Sequence, residues 1–164
     1  MPKRIDRIYV DMDGVLCNFE RKWVELYGFD PETMHKKKLF RKHFNEFIKD
    51  KEFAKLEPMP DFKTLMKFLE TNCKDYDKEI LSSTAHESLH DAVAPQKESW
   101  LKRHDIDWKV NLVPGKKHKK EYAKKHYVLI DDDAQNIEDW NDAGGIGILH
   151  KDALTTISLL KLYI

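Results

Sequence analysis

The run Asp11-Met12-Asp13-Gly14, set directly behind the apolar stretch Ile8-Tyr9-Val10, constrains this chain more than any other feature. A short β-branched and aromatic run that ends in Asp-x-Asp-Gly reads as a buried strand, stopping at its carboxyl end and turning sharply at glycine. In open α/β sheets ligands gather at the carboxyl ends of strands, so this placement puts both carboxylates at a crevice and not in a core. Two acids so close repel each other unless a cation or a shared proton holds them together. The plainer alternative is an acidic turn after an edge strand, since Asp and Gly are common turn residues.

The same arrangement recurs late in the chain. Tyr127-Val128-Leu129-Ile130 is a second buried-strand run, and it ends in Asp131-Asp132-Asp133. At about 4 Å and an effective dielectric near 20, each like-charge pair opposes the fold by roughly 4 kcal/mol before screening. Two such strand ends brought together predict a bound cation, and hard oxygen ligands point to magnesium.

Between these ends, helical and strand patterns alternate without a Gly/Ser-rich linker or an internal repeat. Phe19, Trp23, Leu26 and Tyr27 have helical spacing directly after the first acidic turn. A basic and aromatic stretch follows, with Lys36-Lys37-Lys38, Phe40, Phe44, Phe47 and Phe53. Residues 18–58 are therefore expected to form a small helical cap, inserted after the first strand of a single domain spanning 1–164. Phe62, Leu65, Met66 and Leu69 mark a core helix with Asp61 as its N-cap. Ile80-Leu81 is the next strand, Pro95 opens a helix containing Trp100 and Leu101, and Val110, Leu112 and Val113 form a further strand. Ala134 to Ala143 reads as a helix stopped by Gly144-Gly145, followed by a strand from Ile146 to Leu149. This alternation implies an α/β fold with a mostly parallel sheet and right-handed crossovers.

Composition narrows the class further. The chain has 164 residues, 35% charged and 41% hydrophobic, so it is neither disordered nor membranous. No apolar run approaches the ~20 residues of a spanning helix, and Met1 to Arg7 carry no apolar signal region. The two cysteines, Cys17 and Cys73, do not make a secreted disulfide framework, and a reduced cytoplasm is the expected location. A formal net charge of zero argues against a dedicated nucleic-acid binder.

Taken together, several segments resemble the haloacid dehalogenase (HAD) superfamily, and within it the 5'(3')-deoxyribonucleotidase (5'-nucleotidase) family. Asp11-Met12-Asp13-Gly14-Val15-Leu16 is similar to the first motif of that family, and Phe19 falls where the family places a base-stacking aromatic. Leu56-Glu57-Pro58-Met59-Pro60 resembles the return from cap to core, and Ile80-Leu81-Ser82-Ser83 the second motif. Leu129-Ile130-Asp131-Asp132, followed by Asn136-Ile137 and Gly144-Gly145, resembles the fourth motif and its helix. The resemblance runs from Ile8 to about Leu149.

The resemblance implies a Rossmann-like parallel HAD core and a magnesium-dependent phosphomonoesterase. It would remove phosphate from (deoxy)nucleoside monophosphates through an aspartyl-phosphate. Asp11 would be the nucleophile and Asp13 the general acid and base. Asp11, the backbone carbonyl of Asp13, and Asp132 would hold Mg2+. Asp131 would orient the lysine of the third motif, with Asn136 in support; Asp133 has no assigned role beyond a solvated helix start. Ser82 would hydrogen-bond the phosphoryl group, with Ser83 as the alternative. The third motif lies in Gly115 to Ala123, where Lys119 best fits a lysine shortly before a Tyr-Ala helix and Lys117 and Lys120 stay open. The substrate would be a small phosphomonoester, with a nucleotide base stacked on Phe19. No nucleic-acid or membrane partner is expected, and the chain would be a monomer or homodimer.

The chain departs from the best-known family members in its short cap, in Trp23 as the cap's single tryptophan, and in Asn18 where an acid is usual. Another small phosphomonoester therefore stays open as substrate. A competing signature is His86-Glu87-Ser88-Leu89-His90, which matches the H-E-x-x-H of zinc peptidases. Its flanks are polar and no third histidine follows in the expected place. A non-catalytic nucleotide-binding protein is a further alternative, against which the retention of both Asp11 and Asp13 argues.

Overall fold

The first strand, β1 (Arg7–Val10), is central in a five-stranded sheet, and the chain fills one side of it before returning to the other. In this computed structural model, which describes residues 4–164, the strand order is β3-β2-β1-β4-β5 and every pairing is parallel. The other strands are β2 (Asp77–Ser83), β3 (Lys109–Val113), β4 (Tyr127–Asp131) and β5 (Ile146–Leu149). Met1 to Lys3, the start of the segment read above for a signal region, lie outside the described residues. The order reverses between β1 and β4, so the two acidic strand ends meet at the topological switch point of the sheet.

Strand alternation explains the continuous apolar runs. Ile8, Val10, Ile80, Val128 and Ile130 pack into one buried cluster, while Tyr9, Leu81 and Leu129 pack into a second. Side chains of period two thus serve two covered faces, as parallel sheets require. Helices α3 (Phe62–Thr71) and α4 (His90–Arg103) contribute Leu65, Leu69 and Trp100 to the first cluster. Helix α5 (Ala134–Asp142) contributes Ile137 and Trp140 to the second.

Beyond β1 the backbone folds on itself: the carbonyl of Met12 accepts the N–H groups of Val15, Leu16 and Cys17. The chain then leaves and returns side by side, with Asn18 N–H on the Glu57 carbonyl and Met59 N–H on the Leu16 carbonyl, each at 2.8 Å. Between these points lie α1 (Phe19–Tyr27) and α2 (Lys37–Lys49) with short 3-10 turns, in the segment where the helical cap is expected. Asn18 caps α1 through its side chain, and Gly28 ends it in the left-handed conformation. Fully buried Trp23 is the centre of an aromatic cluster, with Tyr27 and Phe40 at 4.6 Å and Phe19 at 5.7 Å between ring centres. Helix α4 ties this segment to the sheet. Gln96 accepts Phe53 N–H at 3.2 Å and donates to the Ile48 carbonyl at 2.9 Å, and Trp100 Nε1 donates to the Leu56 carbonyl at 2.8 Å.

Two local expectations are corrected and one is qualified. Pro95 stands inside α4 and does not open it. It lies on the exposed face, where solvent can satisfy the carbonyl that a proline frees one turn earlier, while Val93, Lys97 and Trp100 bury the opposite face. Asp61 occupies the N-cap position of α3 as expected, but its carboxylate makes no cap bond there; it accepts Ala153 N–H at 2.6 Å. That bond anchors α6 (Ala153–Leu160), a helix without a distinct sequence signal. Finally, the Tyr-Ala segment belongs to a 3-10 turn, Lys116–Tyr122, and not to an α-helix. Among the described residues no helix is long and apolar enough to cross a membrane.

Candidate active site

The carboxyl ends of β1, β2 and β4 converge on one point. Asp11 follows β1 and is buried, as are Ser82 near the end of β2 and Asp131 at the end of β4. Lys119 reaches into this point from the 3-10 turn, with Nζ 3.0 Å from Asp11 and 2.7 Å from Asp131. Of the lysines from 116 to 120 it is the buried one; Lys116 reaches outward to an ion pair with Asp133. Burial opposes the charge on Lys119, but Asp11 and Asp131 outweigh it, so its ammonium is held well above the usual lysine range. Asp11 has the opposite problem: burial first, and then Asp131, push its carboxyl well above the ordinary range.

Asp131 holds three donors. It accepts from Lys119, from Asn136 Nδ2 at 3.0 Å and from Asp133 N–H at 2.9 Å, so it fixes the lysine and the start of α5 together. Asp132 lines the mouth of the site, where partial burial of its carboxyl and the nearby Asp131 and Asp13 charges push it up to about 7. Asp133, without a role in the sequence reading, caps α5 by accepting Asn136 N–H at 3.0 Å. Gly14 makes room for this arrangement. Its φ is +82°, and a side chain there would run into the Asp132 carboxylate, so glycine is required on both counts.

A divalent cation fits this donor set. Asp11, Asp131 and Asp132 each offer a carboxylate oxygen, all within 4.8 Å of one another. Lys119 alone does not cancel three negative charges, and Oδ1 of Asp13 is buried without a partner. Hard oxygens crowded in this way are the ligand type that magnesium takes.

The sequence reading missed Lys97. It is 2% exposed, and its Nζ donates to Asp13 Oδ2 at 2.9 Å and to Ser82 Oγ and the Ser83 carbonyl at 2.8 Å each. A signal was present: Val93, Lys97, Trp100 and Leu101 have the spacing of one helical face, so the lysine interrupts a buried stripe. Buried lysines need polar partners, and this one has a carboxylate, a hydroxyl and a carbonyl. Ser83 is drawn away from the site, since its hydroxyl accepts Ala85 N–H at 3.0 Å. Of the two serines, Ser82 is the one whose hydroxyl joins the cluster.

Phe19 serves two environments. It stacks on Phe53 at 5.7 Å within the aromatic cluster and also lines an open crevice beside Asp13, Gly14 and Asp132. The zinc-peptidase reading is contradicted. His86 is in an extended conformation, Glu87–Leu89 is a 3-10 turn and His90 begins α4. The two imidazoles therefore do not share a helical face. His86 Nδ1 accepts Ser88 N–H, while His90 Nδ1 lies 2.9 Å from Thr84 Oγ1.

A parallel sheet of this order, with acids at the ends of β1 and β4, is a HAD-type fold. Similar solved structures agree. One is a hydrolase from Streptococcus pneumoniae TIGR4, at TM-score 0.55 and 13% identity, covering 96% of this chain and 99% of that one. Another is a HAD-superfamily hydrolase, subfamily IA, variant 1, from Geobacter sulfurreducens PCA, at TM-score 0.51 and 11% identity, covering 99% and 98%. The chain itself belongs to the "5' nucleotidase, deoxy (Pyrimidine), cytosolic type C protein" family, whose family model matches residues 3–155. No curated protein matches the sequence.

Proposed function

We propose that this protein is a magnesium-dependent 5'-nucleotidase of the cytoplasm, which removes phosphate from (deoxy)nucleoside monophosphates through an aspartyl-phosphate. The observation that carries the reading is that two buried ammonium groups serve the ends of neighbouring parallel strands, Lys119 on Asp11 and Lys97 on Asp13 and Ser82. Together these residues offer a carboxylate nucleophile, one hydroxyl donor and two ammonium groups to a phosphoryl group. Membership of a 5' nucleotidase family supports the substrate class. Buried, unpaired Cys17 and Cys73 suit a reducing compartment.

In this mechanism an Asp11 oxygen forms a bond to phosphorus as the ester oxygen leaves, and Asp13 gives that oxygen a proton. Asp13 then takes a proton from the water that attacks the aspartyl-phosphate, which restores Asp11 and releases inorganic phosphate. Ser82, Lys97 and Lys119 stabilise the charge spread over the phosphoryl oxygens. Asp11, Asp132 and the backbone carbonyl of Asp13 would hold magnesium, which supplies positive charge against the crowded carboxylates and the phosphate. Asp131 and Asn136 position Lys119. Residues 18–58 act as the cap of a single domain, and Phe19 offers a ring face to the base.

Release of inorganic phosphate from a panel of nucleoside monophosphates, sugar phosphates and p-nitrophenyl phosphate, with magnesium or with chelator, tests the reading. Magnesium-dependent turnover with nucleotides preferred is expected, and Asp11→Asn should abolish it. A preference for sugar phosphates, or full activity in chelator, rejects it.

A further inference from the structure

Two residues that line the crevice beside the catalytic acids carry a buried polar atom without a partner. Among the described residues, five have a buried side-chain nitrogen or oxygen without a hydrogen-bond partner: Arg7, Asp13, Trp23, Glu52 and His150. Only Asp13 and His150 of these also line the crevice. Asp13 belongs to the reacting pair, which leaves His150 Nε2 unexplained. A buried hydrogen-bonding atom left unpaired destabilises the fold, and such atoms mark places where a ligand completes the set.

His150 is held firmly. It directly follows β5, and its N–H donates to the Asp131 carbonyl at 2.8 Å, extending the pairing of β5 with β4 up to the acidic strand end. Its ring is 3% exposed, with Nδ1 2.7 Å from Oγ1 of fully buried Thr156 on α6. The bond from Ala153 N–H to Asp61 fixes the start of that helix in turn. One ring nitrogen is thus anchored and the other left over.

The position matters as much as the vacancy. Ser82 and Lys97 approach the phosphoryl site from β2 and α4, on one side of β1. His150 stands at the end of β5, on the other side of β1 beyond β4. A phosphoryl group gripped by Ser82 and the two lysines leaves the rest of its substrate to extend along the crevice, which Phe19, Phe40, Met59 and His150 line.

We propose that His150 is a specificity residue whose Nε2 hydrogen-bonds a sugar hydroxyl of the substrate, the 3'-hydroxyl of a 2'-deoxynucleoside monophosphate. This rests on the nucleotidase reading given above. The chemistry of the ring selects the partner. A hydroxyl both donates and accepts, and it satisfies Nε2 in either tautomer.

The test compares a 2'-deoxynucleoside 5'-monophosphate with its 2',3'-dideoxy analogue. His150→Asn keeps a polar group at the position of Nδ1, facing Thr156, and removes Nε2. His150→Gln places an amide near the position of Nε2. The wild type should favour the deoxynucleotide in kcat/KM by about tenfold, the worth of one hydrogen bond. His150→Asn should erase that preference mainly through KM, and His150→Gln should restore part of it. Thr156→Val, which loosens the ring without removing it, should shift the ratio in the same direction. Equal losses on both substrates in His150→Asn, or an unaltered ratio, overturn the assignment and leave the nucleotidase reading standing. Failure of the wild type to hydrolyse any nucleotide overturns both, and is seen before a variant is made.

Discussion

Lys97 and Asp13 are 84 residues apart in sequence, yet their ammonium and carboxylate meet at 2.9 Å. The same ammonium holds Ser82, so one buried charge joins the proposed proton donor to the proposed phosphoryl ligand. Helix α4 therefore has two duties: Gln96 and Trp100 tie it to the segment between β1 and α3, and Lys97 reaches the site.

Lys97→Met keeps the length of the side chain and deletes its charge. It should lower kcat by about 10²–10³-fold, the range associated with losing one group that stabilises charge in the transition state. Steady-state kinetics on a nucleotide and on p-nitrophenyl phosphate check this. Because the site itself is damaged, both substrates should suffer alike. A kcat within a few-fold of wild type would leave Lys97 as a packing residue.

The lysine-rich turn should divide sharply. Lys119 is buried between two carboxylates, so Lys119→Met removes phosphoryl stabilisation worth about 10²–10³-fold in kcat. It also leaves Asp11 and Asp131 without their cation, and a drop in unfolding temperature should accompany the loss. Lys116 makes an exposed pair with Asp133, worth at most about 1 kcal/mol, and Lys116→Ala should be nearly silent in both measurements. Similar small effects from both substitutions would reduce the turn to a surface feature.

Magnesium should stabilise the protein by mass action. At a hundredfold excess over Kd the gain is about 2.7 kcal/mol, equivalent to roughly 5–10 °C in the unfolding temperature for a domain of this size. Asp132→Asn should shrink that shift. In chelator the same variant should unfold at a higher temperature than wild type, because it relieves the burial of charge, and with it the repulsion from Asp131 and Asp13, that raise Asp132 to about 7. Thermal scans with and without magnesium read both effects. A full magnesium shift in the variant would remove Asp132 from the metal site.

Phe19 belongs both to the aromatic cluster and to the crevice, so truncation to alanine would confuse packing with recognition. Phe19→Leu keeps most of the apolar volume and removes the ring face. Base stacking is worth about 1–3 kcal/mol, so KM for nucleotides should rise by about one to two decades. The rise for p-nitrophenyl phosphate should be clearly smaller. Parallel changes on both substrates would assign Phe19 to packing.

Much of the framework was legible because it is local. The apolar runs at β1, β4 and β5 announce buried parallel strands, and the acids behind β1 and β4 announce strand ends that face a ligand. Lys97 was hidden by its own helix. Pro95 suggested a helix start, which masked the stripe that would have marked this lysine as inward-facing. His150 was equally silent, since nothing near it in sequence reveals the buried hydroxyl of Thr156 or the crevice it lines.

The sequence by itself determined the sheet, its alternation with helices, and the residue types at the strand ends, because burial periodicity and turn chemistry are encoded over a few neighbouring residues. Only the tertiary structure decided which lysine of the basic turn enters the site, which serine faces it, and that a lysine from α4 completes it. Those choices depend on where β2, β4 and the segments after them come to rest around β1. Buried charge tolerates few arrangements: an ammonium removed from water must find carboxylates or carbonyls in reach. Partners such as Asp11 and Lys119, 108 residues apart in sequence, are brought together by the topology and not by any local pattern.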